Sequence, residues 1–103
     1  MKIIKEISDM IEDEIEGACE YAKRAVELKE EMPDLADTLY SISLQEVQHI
    51  NLLHSQVVHL IEQERKEHGE PPAPMMSVYE YLHKKHIEAV NKIKIYQQMY
   101  KEK

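Results

Sequence analysis

Apolar side chains recur at steps of three and four along most of the chain. The first stripe reads Ile4, Ile7, Ile11, Ala18, Tyr21, Ala25 and Leu28, a spacing that keeps one face of a helix apolar. It predicts a helix over about 2–31. The stretch EEMPDL breaks the pattern. Pro33 suits the first turn of a new helix, where its missing N–H is not needed. A second stripe, Leu35, Leu39, Ile42, Leu53, Val57 and Leu60, predicts a helix over 33–68, roughly 50 Å long at about 1.5 Å per residue. GEPPAP, at 69–74, reads as a loop, since glycine closes a helix and prolines do not extend one. Ser77-Val78-Tyr79-Glu80 has the form of a capping box and predicts a third helix over 78–100. No strand-like alternation and no low-complexity tract occurs. The expected fold is all-α, an antiparallel two-helix hairpin plus a third helix, in a single domain spanning 1–103.

The second helix is apolar on another side too, at Tyr40, Leu44, Val47 and Val58. A helix with two apolar faces is covered by neighbours on both. The first helix covers one; the third helix or another subunit must cover the other.

Two gaps in the stripes change the picture. In the first helix the missing step is position 14, and the residue there is Glu14. At about 100° per residue it lies within the apolar arc, whereas Glu16 and Glu20 point away from it. In the second helix the missing steps are Glu46 and His49. Positions equally far from the turn of an antiparallel hairpin face each other. By that arithmetic Glu14 falls within about four residues, roughly 6 Å of rise, of Glu46 and His49.

Composition bounds what such a cluster does. Of 103 residues 43% are apolar and 32% charged, with two glycines and no Phe or Trp, which favours helices. The net charge of −7 argues against nucleic acid or an acidic membrane surface as partner and is compatible with cations. A single cysteine, Cys19, excludes an internal disulfide and suits a reducing compartment. No apolar run approaches the roughly 20 residues of a membrane span. MKIIKEISDM carries charge too early for a secretory apolar core. A cytoplasmic protein is expected. A chain this short buries a modest fraction of its surface, so association is expected as well.

Burying lone carboxylates costs several kcal/mol or forces protonation. No Lys or Arg interrupts either stripe between Ile7 and Leu60 to neutralise them. A divalent cation would do so, and carboxylate oxygens with an imidazole suit iron, manganese or zinc. The i, i+3 spacing of Glu46 and His49 sends both side chains off one face. The plainer alternative is a set of polar core residues that fix register and oligomer state by hydrogen bonding.

Glu14, Tyr21 seven residues on, and Glu46-Val47-Gln48-His49 resemble the ferritin-like di-iron carboxylate superfamily. That pattern supplies one Glu from one helix and Glu-x-x-His from the next. The superfamily's bundle uses two such sets around two metals, and this chain has one. Among relatives it is most similar to the encapsulated ferritins, which build a ferroxidase site across two chains; Glu14 to Tyr21, EIEGACEY, has their look. The resemblance covers about residues 7–60. It implies a four-helix bundle completed by a homodimer or a higher even-numbered homo-oligomer. It further implies two irons per dimer held by Glu14, Glu46 and His49 of both chains, with Mn or Zn as alternatives. Fe(II) oxidation for iron storage or detoxification, within an encapsulin shell, would be the activity. It makes Tyr21 a residue supporting the ligands and Glu16 a carboxylate on the path of arriving metal. Two features depart from that family: YQQMYKEK reads as helix rather than a docking tail, and the third helix is long. The rival readings are a non-enzymatic helical assembly protein and a non-redox zinc or manganese bundle.

Other polar residues have plainer readings. Glu80 and His83 form a second Glu-x-x-His, but Glu80 is accounted for by the capping box, and His83 is expected level with about residue 60. His86, central on the third stripe, is expected to be a hydrogen-bonded core histidine. Tyr96 is expected level with Glu46 and His49, as an amphipathic core tyrosine or a neighbour of the ligands. His54, His59 and His68 are expected to face solvent or an interface.

Overall fold

The computed structural model describes residues 2–102 and contains three helices and, among those residues, no strand. They are α1 (Lys2–Leu28), α2 (Pro33–His68) and α3 (Ala73–Lys101). Together they form an elongated helical bundle of 55 × 17 × 17 Å. No helix among the described residues is long and apolar enough to cross a membrane.

α1 stops at Leu28, three residues before the expected end, and the N–H of Met32 bonds back to the Leu28 carbonyl. Pro33 opens α2 as its first residue. α2 ends where Gly69, at φ 80°, turns the chain in a conformation that side chains disfavour. α3 starts at Ala73, five residues earlier than expected. Pro74 is accommodated in the first turn, as Pro33 is in α2. Ser77 therefore lies inside the helix, and the capping box is not used.

α1 and α2 pack closely because the residues between them are small. Ala18, Ala22, Ala25, Ala36 and Ser43 are fully buried. The Ser43 hydroxyl donates to the Ala18 carbonyl at 2.8 Å. α3 lies along the hairpin, antiparallel to α2. Gln97 Nε2 donates to Ser43 Oγ at 3.0 Å, and the Tyr100 and Tyr40 rings stack with centroids 4.6 Å apart. The Tyr100 hydroxyl donates to Asp37, and Lys29 donates to the carbonyls of Tyr100 and Glu102, covering the open end of α3. The central core is Ile11, Ala18, Ile50 and Ile93, one or more from each helix. α3 packs chiefly on α1 and covers the second apolar face of α2 only in part: Tyr40 stacks on Tyr100 and Val47 packs on the core, while Leu44 and Val58 stay exposed.

Candidate metal centre

Glu14 extends from α1, Glu46 and His49 from α2, and the three meet across the seam between the two helices. One donor atom from each lies within 4.8 Å of the others, and His49 Nδ1 is 3.3 Å from Glu14 Oε2. The height agrees with the turn arithmetic. The burial does not agree with the position in the stripe. The His49 side chain is 54% exposed and that of Glu14 29% exposed, and Glu46 is half-buried. The cluster sits at the rim of the core, not inside it.

The reason is where α3 packs. Glu12 faces α3, its carboxylate 3.8 Å from both Lys85 Nζ and His86 Nε2. Glu14, two residues on, is about 160° round α1 from Glu12. His54 likewise meets α3 through His83, and His49 is about 140° round α2 from it. Glu14, Glu46 and His49 therefore lie on the side of the hairpin that α3 leaves open.

Glu46 is hydrogen-bonded to Glu14. That bond, loss of solvent and the Glu14 charge raise its pKa to about 7, with His49 pulling the other way. Two carboxylates this close hold a proton between them when nothing else neutralises them. The donor set fits a divalent ion of the kind that takes oxygen and imidazole ligands. Metal–ligand bonds of about 2.0–2.2 Å bridge donors up to about 4.4 Å apart, so modest side-chain rotation closes this set around one ion.

Gly17 shapes the site and was not singled out from its position in the sequence. An added Cβ there would sit 3.5 Å from Glu46 Oε2 and 3.9 Å from the Tyr21 ring. The signal was an isolated glycine in a helical stripe, three residues from Glu14 and four from Tyr21. Helical side chains lean toward the N-terminus, which carries the Tyr21 ring back over Gly17 toward Glu46. Tyr21 thus approaches the cluster within its own chain. Glu16 is exposed and, by helical phase, points away from Glu14. Tyr96 is half-buried on α3, beside Gln97, and α3 runs on the far side of the hairpin from the cluster.

Three histidines depart from their expected settings. His83 meets His54, not the level of residue 60, with His54 Nε2 and His83 Nδ1 2.6 Å apart. His54 consequently faces a neighbour across the α2–α3 seam and is only half-exposed. His86 is buried as expected, but its Nε2 has no hydrogen-bond partner. His59 and His68 are exposed.

Compared with known protein families, curated proteins and solved structures, the chain matches none of them.

Proposed function

We propose that this chain is half of a dinuclear metal protein: two copies pair across the open side of the α1–α2 hairpin, and two sets of Glu14, Glu46 and His49 hold two Fe(II) ions for oxidation by dioxygen or peroxide. The observation that carries the reading is the convergence of three donors from two helices within 4.8 Å.

Two further features support it. A single chain offers too few ligands to enclose two metals, while two chains supply the four carboxylates and two imidazoles of the ferritin-like di-iron pattern. The cluster is also ringed by apolar side chains that share its face by helical phase. Ile3, Met10, Tyr21 and Leu35 are exposed, and Leu39, Ile42 and Leu53 are half-exposed. Apolar surface around a polar centre is the pattern of a covered interface. Pairing would remove Glu14, Glu46 and His49 from water and put each set within reach of its copy.

Glu14, Glu46 and His49 of both chains would hold the irons, and the chemistry supplied there would be one-electron oxidation of each Fe(II) by dioxygen or peroxide. The chain's own residues fix the ligands and move protons. Glu46 must lose its proton for metal to bind. Tyr21, whose ring and the Glu46 carboxylate both lie over Gly17, would shield the site from solvent on that side.

The test is anaerobic Fe(II) loading of wild type and Glu46→Ala side by side, with sedimentation to read the oligomer. About one iron per chain in an even-numbered oligomer, lost in the variant, is the expected result. No iron in either protein would leave a structural bundle whose polar residues set register. Zinc retained without oxygen uptake on iron addition would leave a non-redox site.

A further inference from the structure

We propose that the first half of α3, residues 73–85, is an acid-released strap. At neutral pH the His54–His83 contact holds it closed over an apolar cavity; when both rings are protonated the contact parts and the strap opens. The device is independent of the Glu14 centre, which lies on the side of the hairpin that α3 leaves open.

The two halves of α3 are held unequally. Its buried residues are His86, Ile93, Gln97 and Tyr100, none of them in the first half. The second half is anchored by the Gln97–Ser43 and Tyr100–Asp37 hydrogen bonds and by the Tyr100–Tyr40 stack. Between Ala73 and Lys85 no residue is fully buried. The helix there roofs a cavity of about 280 Å³ walled by Ile4, Ile11, Val57 and Ile61. A segment with few buried contacts opens at a lower free energy than the whole fold.

The contact that closes the strap depends on protons. His54 Nε2 and His83 Nδ1 are 2.6 Å apart, and the two rings stack with centroids at 4.5 Å. A neutral imidazole carries one N–H and one bare nitrogen, so a single hydrogen lies between these two atoms. One added proton goes to an outward nitrogen and leaves the contact intact. A second puts a hydrogen on both facing nitrogens, and two donors then oppose each other. Release therefore takes two protons and is steep in pH.

The charges around the pair do not cancel two imidazoliums. On α1, the Glu12 carboxylate is 3.8 Å from both Lys85 Nζ and His86 Nε2, so Lys85 already shares it. On α2, Arg65 is paired with Glu62 and Glu70. On α3, Glu80 is exposed at the rim of the cavity, and Lys94 borders the adjoining groove. His86 Nε2 is buried with no hydrogen-bond partner. Burial, and then the charges of His83 and His86, pull His54 below the ordinary 6.5; burial does the same to His86, against the pull of Glu12. Groups lowered in this way contribute stability that is fully present above pH 6.5 and is lost as pH falls through their lower folded values. The Glu46 carboxyl, raised in the fold, acts in the opposite sense and does not reproduce the effect.

Amide hydrogen exchange of the full, metal-free chain, read by mass spectrometry at about pH 7.5 and about pH 5 and corrected for the intrinsic pH dependence of exchange, tests the strap. Protection of residues 75–85 should fall roughly tenfold or more at the lower pH, while residues 93–101 keep theirs. His83→Gln and His54→Gln each leave one ring that takes a proton, and each should shrink that pH ratio. His83 is exposed, so its replacement leaves the fold intact, which circular dichroism checks. The ratio between the two pH values is the readout, so a variant that is looser at both remains informative. Equal protection of 75–85 at both pH values in wild type would overturn the proposal. So would a loss spread evenly along α3, or one as large in both variants as in wild type.

Discussion

Glu46 faces Glu14 across the α1–α2 seam, and hydrogen bonding to Glu14, loss of solvent and the Glu14 charge raise the Glu46 pKa to about 7. This relationship ties the site to pH, and several expectations follow from it and from the packing around it.

The Glu46 pKa in the fold, about 7, stands above its ordinary value of 4.5. A group raised in this way contributes stability that is fully present below pH 4.5 and is lost as pH rises through about 7. In the metal-free chain, Glu46→Gln should keep the hydrogen bond to Glu14 and remove that part of the decline. Urea midpoints measured across this window for both proteins check it. An unchanged slope in the variant would locate the titration elsewhere.

Metal binding requires Glu46 in its ionised form. Loading below pH 7 should release more protons than loading above it, and affinity should rise with pH until Glu46 is ionised. Calorimetric titrations in buffers of different ionisation enthalpy measure the release directly. Glu46→Gln should abolish both the release and the binding.

At Gly17 an added methyl makes only ordinary contact with Glu46 and Tyr21. Gly17→Ala should therefore gain the helix preference of alanine, roughly 0.5–1 kcal/mol, seen as a higher melting temperature. Gly17→Val carries bulk into the space of the Glu46 carboxylate and should weaken metal loading. Equal loading by the two variants would show that Glu46 yields freely.

Ser43 accepts from Gln97 and donates to the Ala18 carbonyl in a buried chain of hydrogen bonds. Ser43→Ala leaves the Gln97 amide short of its acceptor and should cost about 1–3 kcal/mol. Adding Gln97→Leu should recover part of that loss, because no buried donor then lacks a partner. Chemical denaturation of both single variants and the double reads the coupling.

Tyr100 donates to Asp37, which together with burial raises its pKa to about 12. The stability this bond contributes is present below pH 10 and is lost as pH rises through about 12. Tyr100→Phe should lower stability at neutral pH by about 1–2 kcal/mol and abolish the late tyrosinate absorbance step. Retention of that step would assign it to another tyrosine.

Much of the architecture was legible in local pattern. The stripes of α1 and α2 place their helices because burial at steps of three and four is a property of one helix alone. Pro33 marked the start of α2 for the same local reason. Pro74 obeys that rule too, and reading it as loop shortened α3 by five residues. Separately, His83 was placed level with about residue 60, and it meets His54 instead.

The site was legible in part. Glu14, Glu46 and His49 stood out because charged residues interrupt apolar periodicity, and turn arithmetic set them at one level. Their exposure was not legible, since a stripe position says which face a residue occupies and not which neighbour covers it. Gly17 and the His54–His83 contact were missed for related reasons. The first matters through a missing side chain, and the second joins residues of different helices.

The sequence by itself determined three helices, their antiparallel hairpin, and the alignment of Glu14 with Glu46 and His49. Periodicity, proline geometry and helix rise act over a few residues and need no partner. Only the tertiary structure decided which side of the hairpin α3 covers. That choice rests on contacts between distant segments, Gln97 with Ser43, Tyr100 with Tyr40 and Asp37, and Ile93 with Ile11 and Ile50. By burying one side it leaves the carboxylate cluster on the other, and it brings His83 of α3 against His54 of α2.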